Sequence, residues 1–300
     1  MNTLDRLPHT RFPFRSLALA LAILCCAGPA ARAATTINAV NQLAYGANIG
    51  WLNARADGTN GAAIGQSFCS GAMWGANVGW ISLGHGPTNG FTYSNASATD
   101  WGVNHDGIGN LRGYAYGANI GWIHFETNGN PHVDLLTGAL SGHAWGANVG
   151  WISLSNAQAF VQTDLLSPGP DIDGDGIPDA FELARTGSLT NLTASGDHDD
   201  DGSLDVDEYR ADTHPGDNTS YLHITDFAKL STTGRVTWTV APTRLYRLEH
   251  SPTATNGAPW VDSGLGVILP GAGPTLTREA AVPATATRFF RAKAVVPLAP

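Results

Sequence analysis

Two acidic loops concentrate the residues best placed to do chemistry. Asp171-Ile-Asp-Gly-Asp-Gly-Ile-Pro-Asp-Ala-Phe-Glu182 and Asp197-His-Asp-Asp-Asp-Gly-Ser-Leu-Asp-Val-Asp-Glu208 are each twelve residues long and start 26 residues apart. Both carry carboxylates at positions 1, 3, 5, 9 and 12 and glycine at position 6. A hard cation such as calcium takes six to eight oxygens at about 2.3–2.6 Å, and this spacing wraps those carboxylates and the carbonyl of position 7 around one ion. The predicted ligands are Asp171, Asp173, Asp175, the Ile177 carbonyl, Asp179 and Glu182 in the first loop. In the second they are Asp197, Asp199, Asp201, the Ser203 carbonyl, Asp205 and Glu208. Gly176 and Gly202 stand where the chain must turn sharply and a residue without Cβ does so at no steric cost. The cofactor implied is Ca2+, and Asp200 and Asp207, outside the ligand positions, add local charge.

No comparable constellation points to catalysis. The chain lacks the His-Glu-x-x-His spacing of a zinc protease, the Gly-x-Ser-x-Gly elbow and a phosphate-binding glycine loop. Asp100, Asp106, Glu126 and Asp134 contain no spacing that selects an acid pair of the kind glycoside hydrolysis uses. His85, His105, His124, His132 and His143 are scattered. No catalytic residue is assigned and a non-enzyme is expected; a secreted hydrolase with its site in the first half of the chain is the weaker alternative.

The elements that must position the loops begin with a repeat. Four copies of one motif occur: Tyr45-Gly-Ala-Asn-Ile-Gly-Trp51, Trp74-Gly-Ala-Asn-Val-Gly-Trp80, Tyr116-Gly-Ala-Asn-Ile-Gly-Trp122 and Trp145-Gly-Ala-Asn-Val-Gly-Trp151. Their final tryptophans are 29, 42 and 29 residues apart, so the array is a pair duplicated at 71 residues. Alternating apolar and polar residues on either side of Gly-Ala-Asn predict a β-hairpin per copy, extended to a short meander by Val103 to Leu111 and Val133 to Leu140. Four such units satisfy a barrel, a propeller or a solenoid. Odd copies pair Tyr with Ile and even copies Trp with Val, which predicts that ring and aliphatic share a pocket of fixed volume. The rings are accordingly expected in the core, with sugar stacking as the alternative. Asn48, Asn77, Asn119 and Asn148 are expected to adopt a left-handed turn and bond their own backbone.

Ser167-Pro-Gly-Pro170 breaks this pattern, since two prolines around a glycine continue neither a helix nor a central strand. Only short helices leaving the loops are predicted, over 179–185 and 205–211, the first ending near Gly187 and the second before Pro215. Pro178 lacks the amide a paired EF-hand uses between loops, which favours loop-plus-helix units. On the Asp-Gly-Asp-Gly-Ile-Pro-Asp core, the second loop and the trailing Asp212-Thr-His-Pro215, this segment resembles bacterial thrombospondin type 3-like calcium repeats, relatives of EF-hand loops. The resemblance covers about 45 residues. It implies calcium-binding spacers or stabilisers of secreted proteins without catalysis; the Trp-Gly-Ala-Asn-Val-Gly-Trp array is similar to repeats of other exported bacterial proteins. Beyond it, Tyr221–Ile224, Arg235–Val240, Arg244–Leu248, Thr275–Thr277 and Thr287–Ala294 read as strands of a sandwich-like module.

The fold class expected is therefore mainly β and multidomain: a leader over 1–33, a Trp-rich repeat domain over 34–166, the double calcium-loop segment over 167–220 and a β module over 221–300. Arg6, Arg11 and Arg15, an apolar run from Leu17 to Cys26 and Ala31-Arg32-Ala33 predict a secretory signal. That run is too short to span a bilayer, and no later stretch reaches the roughly 20 apolar residues needed. Without the leader the chain carries 12 basic and 24 acidic residues, and the imbalance of 12 sits entirely in residues 171–217. No basic patch offers a surface for nucleic acid. Cys69 is the one cysteine left, so no internal disulfide forms, and its alignment with Leu140 predicts a small buried hydrophobe. These readings predict a secreted or cell-surface, calcium-binding structural or adhesive protein whose partner is an extracellular polysaccharide or a cell-surface protein. A glycan-binding module using the Trp repeats is the alternative, and exposure of the second Trp of each copy separates the two.

Overall fold

The computed structural model describes residues 35–255, 257–282 and 287–300, and the expected leader lies outside them. The fold is mainly β, as expected, with two short helices among the described residues. In chain order the first half forms β1 (Ile37–Gly46), β2 (Gly50–Asn53), β3 (Ala63–Ile64), β4 (Cys69–Gly75), β5 (Gly79–Gly84), β6 (Val103–His105), β7 (Leu111–Gly117), β8 (Gly121–Phe125), β9 (His132–Val133), β10 (Leu140–Ser141), β11 (His143–Gly146), β12 (Gly150–Ser153) and β13 (Val161–Thr163). Each motif copy is a hairpin: β1–β2, β4–β5, β7–β8 and β11–β12. Neighbouring hairpins pair antiparallel, and β12 returns to β1, so eight strands close into a barrel with no free edge along that circuit.

Closure explains every position of the motif. In the first hairpin Gly46 and Gly50 face each other, the Ile49 amide donates to the Gly46 carbonyl, and Gly50 takes φ of 79°, a tight turn followed by a left-handed residue. Ile49, Val78, Ile120 and Val149 fold inward and are buried, filling the barrel at its turn end. The first glycine of each copy leaves room for that side chain: a Cβ on Gly117 would stand 2.8 Å from Cγ1 of Ile120. Below this layer Ala44, Leu52, Met73, Ile81, Ala115, Ile123, Ala144 and Ile152 continue the core. Cys69 is among the inward residues, fully buried as expected, and burial pushes its thiol up to about 12.

The asparagines do something the sequence did not announce. Asn77 Nδ2 donates to the Ile49 carbonyl at 3.0 Å, Asn119 to Val78 at 3.1 Å, Asn148 to Ile120 at 3.0 Å, and Asn48 closes the circle on Val149 at 3.1 Å. The expectation of a left-handed asparagine bonding its own backbone is thus corrected. The last glycine of each copy takes the left-handed conformation, which frees the amide to latch adjacent turns.

Helix α1 (Asp179–Thr186) and helix α2 (Asp205–Ala211) follow the two acidic loops, and Gly187 and Asp212 end them in left-handed conformations. Ile177, Leu192, Val206 and Tyr209, with Phe181 against them, give the two loops one small shared core. The last part forms β14 (Ile224–Lys229), β15 (Thr233–Thr239), β16 (Leu245–Ser251), β17 (Val261–Asp262), β18 (Thr275–Ala281) and β19 (Phe289–Val295). Two three-stranded sheets, β14-β15-β18 and β17-β16-β19, enclose Val236, Trp238, Tyr246, Leu248 and Leu276. Tyr221–His223, expected as strand, precede β14, whereas β14 and β17 fall on segments read as connections.

The three parts are tied together. Arg244, buried at the end of α2, donates from Nε to the Arg210 carbonyl and from Nη2 to the Tyr209 carbonyl, placing a cation on the negative end of the helix. Tyr209 Oη donates to Gln66 of the barrel at 3.1 Å, and the Leu166 amide donates to the Leu298 carbonyl. Gln66 lies in a connection between hairpins, so the loop segment docks on the barrel end opposite the Gly-Ala-Asn turns.

Candidate metal centres and an aromatic girdle

Both acidic loops fold on closely similar hydrogen-bond frames. Asp171 accepts the amides of Gly174 and Gly176 at 2.8 and 3.0 Å, and Asp197 accepts those of Asp201 and Gly202 at 3.1 and 2.9 Å. Asp175 accepts the Ile177 amide and Asp201 that of Ser203. This frame turns carboxylate oxygens of Asp171, Asp173 and Asp175 to within 4.8 Å of one another, and does the same for Asp197, Asp199 and Asp201. Oxygens sharing a cation at about 2.5 Å stand at most about 5 Å apart, so the spacing suits one hard ion per loop.

The carboxylates at position 9 differ from the expected ligand set. Asp179 Oδ1 accepts the Ile172 amide at 2.9 Å, and both oxygens of Asp205 accept backbone amides, from His198 and Thr193, at 2.9 Å. These two residues are buried and close their loops. Position 12 behaves in the opposite way. Glu182 is wholly inaccessible with both carboxylate oxygens unpartnered, and Glu208, equally buried, has Oε2 unpartnered and Oε1 accepting from Thr213 Oγ1. One oxygen each of Asp175, Asp199 and Asp201 is likewise buried without a donor. A buried carboxylate without partners costs several kcal/mol, roughly, unless a cation compensates it. The strain is visible in proton affinity. Burial first, then repulsion from Asp173, Asp175, Asp179 and Asp171, pushes Glu182 up to about 7; burial, with Asp199 foremost among the charges, does the same to Glu208. An all-oxygen set with orphaned buried carboxylate oxygens fits a hard divalent cation in both loops.

The second feature lies at the other end of the barrel. All eight motif rings point outward and are 37–47% exposed, against the expectation that they form the core. Strand alternation turns Tyr116 outward between the inward Ala115 and Gly117, and the turn that follows folds Ile120 inward, so ring and aliphatic lie on opposite sides of the barrel wall and share no pocket. Each hairpin instead pairs its own two rings across the strands, with centroids 4.9 Å apart for Tyr45–Trp51 and Tyr116–Trp122 and 5.0 Å for Trp74–Trp80 and Trp145–Trp151. Between hairpins the register sets a polar neighbour beside a ring: Ser153 by Tyr45, Asn53 by Trp74, Ser82 by Tyr116 and His124 by Trp145.

The remaining acids of the barrel are engaged locally. Asp106 accepts the amides of Ile108 and Asn110, Asp134 those of Leu136 and Thr137, and Asp100 those of Thr88 and Ser94. Glu126 pairs with His124 at 2.7 Å. Comparison with protein-family models, with curated proteins and with solved structures returns no match.

Proposed function

We propose that this is an exported, calcium-stabilised, non-enzymatic protein that binds polysaccharide outside the cell through the aromatic girdle of its barrel. The observation that carries the reading is the exterior placement of four cross-strand ring pairs with a polar residue between neighbours. A sugar ring offers an apolar C–H face and a rim of hydroxyls, which match an aromatic face and the polar side chain beside it. Polar interruption at every step favours a glycan over a cell-surface protein, whose interfaces gather a continuous apolar centre inside a polar rim. Calcium enters as the counter-charge for the buried oxygens of Glu182, Glu208, Asp175, Asp199 and Asp201. In this reading, as the resemblance to thrombospondin type 3-like repeats implies, the loops stiffen the junction between barrel and sandwich and take no part in binding.

Affinity electrophoresis through gels containing neutral or acidic polysaccharides tests the proposal. Wild-type protein is expected to be retarded by at least one polymer, and Trp51→Ala with Trp151→Ala to run faster there while melting within about 1 kcal/mol of wild type, as substitutions of exposed residues do. Loss of several kcal/mol on truncating these rings, with no retardation of the wild type, would return them to a purely structural role.

A further inference from the structure

One hairpin of the four differs from the others. The connection from the second motif to the third is 13 residues longer than the first-to-second and third-to-fourth connections, and the excess lies within residues 85–102. The barrel does not need it, since the other hairpins pair without such a segment.

The segment is built rigidly. Tyr93, 3% exposed, donates its hydroxyl to the Cys69 carbonyl at 3.0 Å and accepts the Gly86 amide at 2.8 Å. Its backbone is clasped by Asn104, which accepts the Tyr93 amide and donates to the Tyr93 carbonyl. Asp100, buried within the segment, accepts the amides of Thr88 and Ser94. Gly102 lies so close to Tyr93 that a Cβ there would stand 2.3 Å from the ring. The product of this investment is the position of Trp101. Its ring meets Trp122 edge-on at 5.1 Å and Tyr116 at 6.1 Å, and Tyr114 joins Trp122 at 6.0 Å and His124 at 4.7 Å. One ring pair of the girdle becomes a cluster around a groove of about 360 Å³ walled by Ser97, Ala98, Trp101, Tyr114, Trp122 and His124. Sites for small ligands start at about 300 Å³.

Charge selects what can enter. His124 Nδ1 lies 2.7 Å from Glu126 Oε1, and no hydrogen bond engages His124 Nε2 or Glu126 Oε2 among the described residues. Arg112, two residues along β7 from Tyr114, directs its guanidinium to the carbonyls of Leu111 and Pro131. Residues 35–166 hold two arginines and no lysine against six carboxylates. Such a groove repels uronates, phosphates and anionic lipid headgroups, whereas the His124–Glu126 pair, whose Nδ1–H donates to the carboxylate, presents Nε2 and Oε2 as acceptors to the donating hydroxyls of a neutral sugar.

We propose that the 85–102 segment and the third hairpin form the principal saccharide subsite of the girdle, which holds a neutral hexopyranose unit in the groove against Trp101, Tyr114 and Trp122 with its hydroxyls on His124 and Glu126. This rests on the glycan-binding reading above, and adds to it one location and one charge class.

The test is affinity electrophoresis of the calcium-loaded protein against soluble β-1,3-glucan, β-1,4-glucan, galactomannan and polygalacturonate, with co-sedimentation on phosphatidylcholine vesicles. Trp101→Ala is expected to weaken binding of the retained neutral polymer about tenfold or more, as truncation of an anchoring aromatic does. Glu126→Gln, which removes no packing, is expected to weaken it less, and Trp151→Ala, a girdle ring outside the groove, to weaken it clearly less than Trp101→Ala; all three are checked for wild-type melting. Wild-type binding that survives Trp101→Ala and Glu126→Gln, or falls equally with Trp151→Ala, overturns the subsite and leaves the girdle reading standing. Preference for polygalacturonate overturns the charge class, and vesicle binding without glucan binding, or no binding at all, overturns both proposals.

Discussion

Replacing Glu182 with glutamine should stabilise the calcium-free protein and weaken the calcium-loaded one. In the folded chain this carboxyl is inaccessible, unpartnered and faced by Asp173, Asp175, Asp179 and Asp171, and it is pushed from 4.5 to about 7. The unfolded chain therefore loses this proton first, so the contribution of Glu182 to apo stability is most favourable below pH 4.5 and falls as pH rises towards 7. At about 1.4 kcal/mol per pH unit, the full penalty at pH 8 is roughly 3 kcal/mol. Water entering the exposed side of the loop reduces it, and we expect about 1–3 kcal/mol to be recovered by Glu182→Gln in chelator. In a chain of this size that raises the melting temperature by about 2–4 °C per kcal/mol. Calcium reverses the order. At 1,000 times its dissociation constant each site adds about 4.1 kcal/mol, more than the variant recovers in chelator, and the variant should gain only the contribution of the second loop. Scanning calorimetry at pH 8, in chelator and across a calcium titration, should give melting curves whose order inverts, and isothermal titration should lose one site. Equal destabilisation of the variant with and without calcium would refute the argument, because Glu182 would then be compensated by groups within the fold.

Breaking the ring of turn latches with Asn148→Ala leaves the Ile120 carbonyl without its donor and should cost about 1–2 kcal/mol by chemical denaturation, with faster amide exchange at the Gly117–Gly121 turn. An effect below about 0.5 kcal/mol, the level of a neutral surface change, would mean the latches are incidental. His105 is buried as the neutral ring: Nδ1 donates to the Gly65 carbonyl at 2.9 Å, Nε2 accepts the Gly109 amide at 3.2 Å, and burial holds its pKa below 6.5. The unfolded imidazole takes up a proton first, so this stability is complete above pH 6.5 and lost as pH falls below it. In saturating calcium, denaturation from pH 7.5 to 5 should show a pH dependence steeper by up to one proton in the wild type than in His105→Asn, and identical slopes would exclude the residue as a source.

Local chemistry is legible in the sequence. The clustering of Asp171, Asp173 and Asp175 and of Asp197, Asp199 and Asp201, the two short helices that follow, the four hairpins and the burial of Cys69 all depend on residues close in sequence or on one period, and each formed where expected. What stayed hidden depends on closure. A hairpin has two faces, and only the pairing of β12 with β1 decides which is inside: it buries Ile49, Val78, Ile120 and Val149 and turns Tyr45, Trp51 and their counterparts to solvent. Hydrophobicity alone favoured the rings for the core, but a barrel of eight short strands filled by valine, isoleucine and alanine has no room for eight large aromatics. Trp101 was invisible for the same reason, although the longer spacing between the second and third motifs marked where to look. The sequence by itself determined the oxygen spacing of the loops and the hairpin unit, because both are written in local geometry. Which aromatic residues meet solvent, and which one is carried to Trp122 by a buried tyrosine and aspartate, was decided only when the chain closed on itself and gave each strand an inside and an outside.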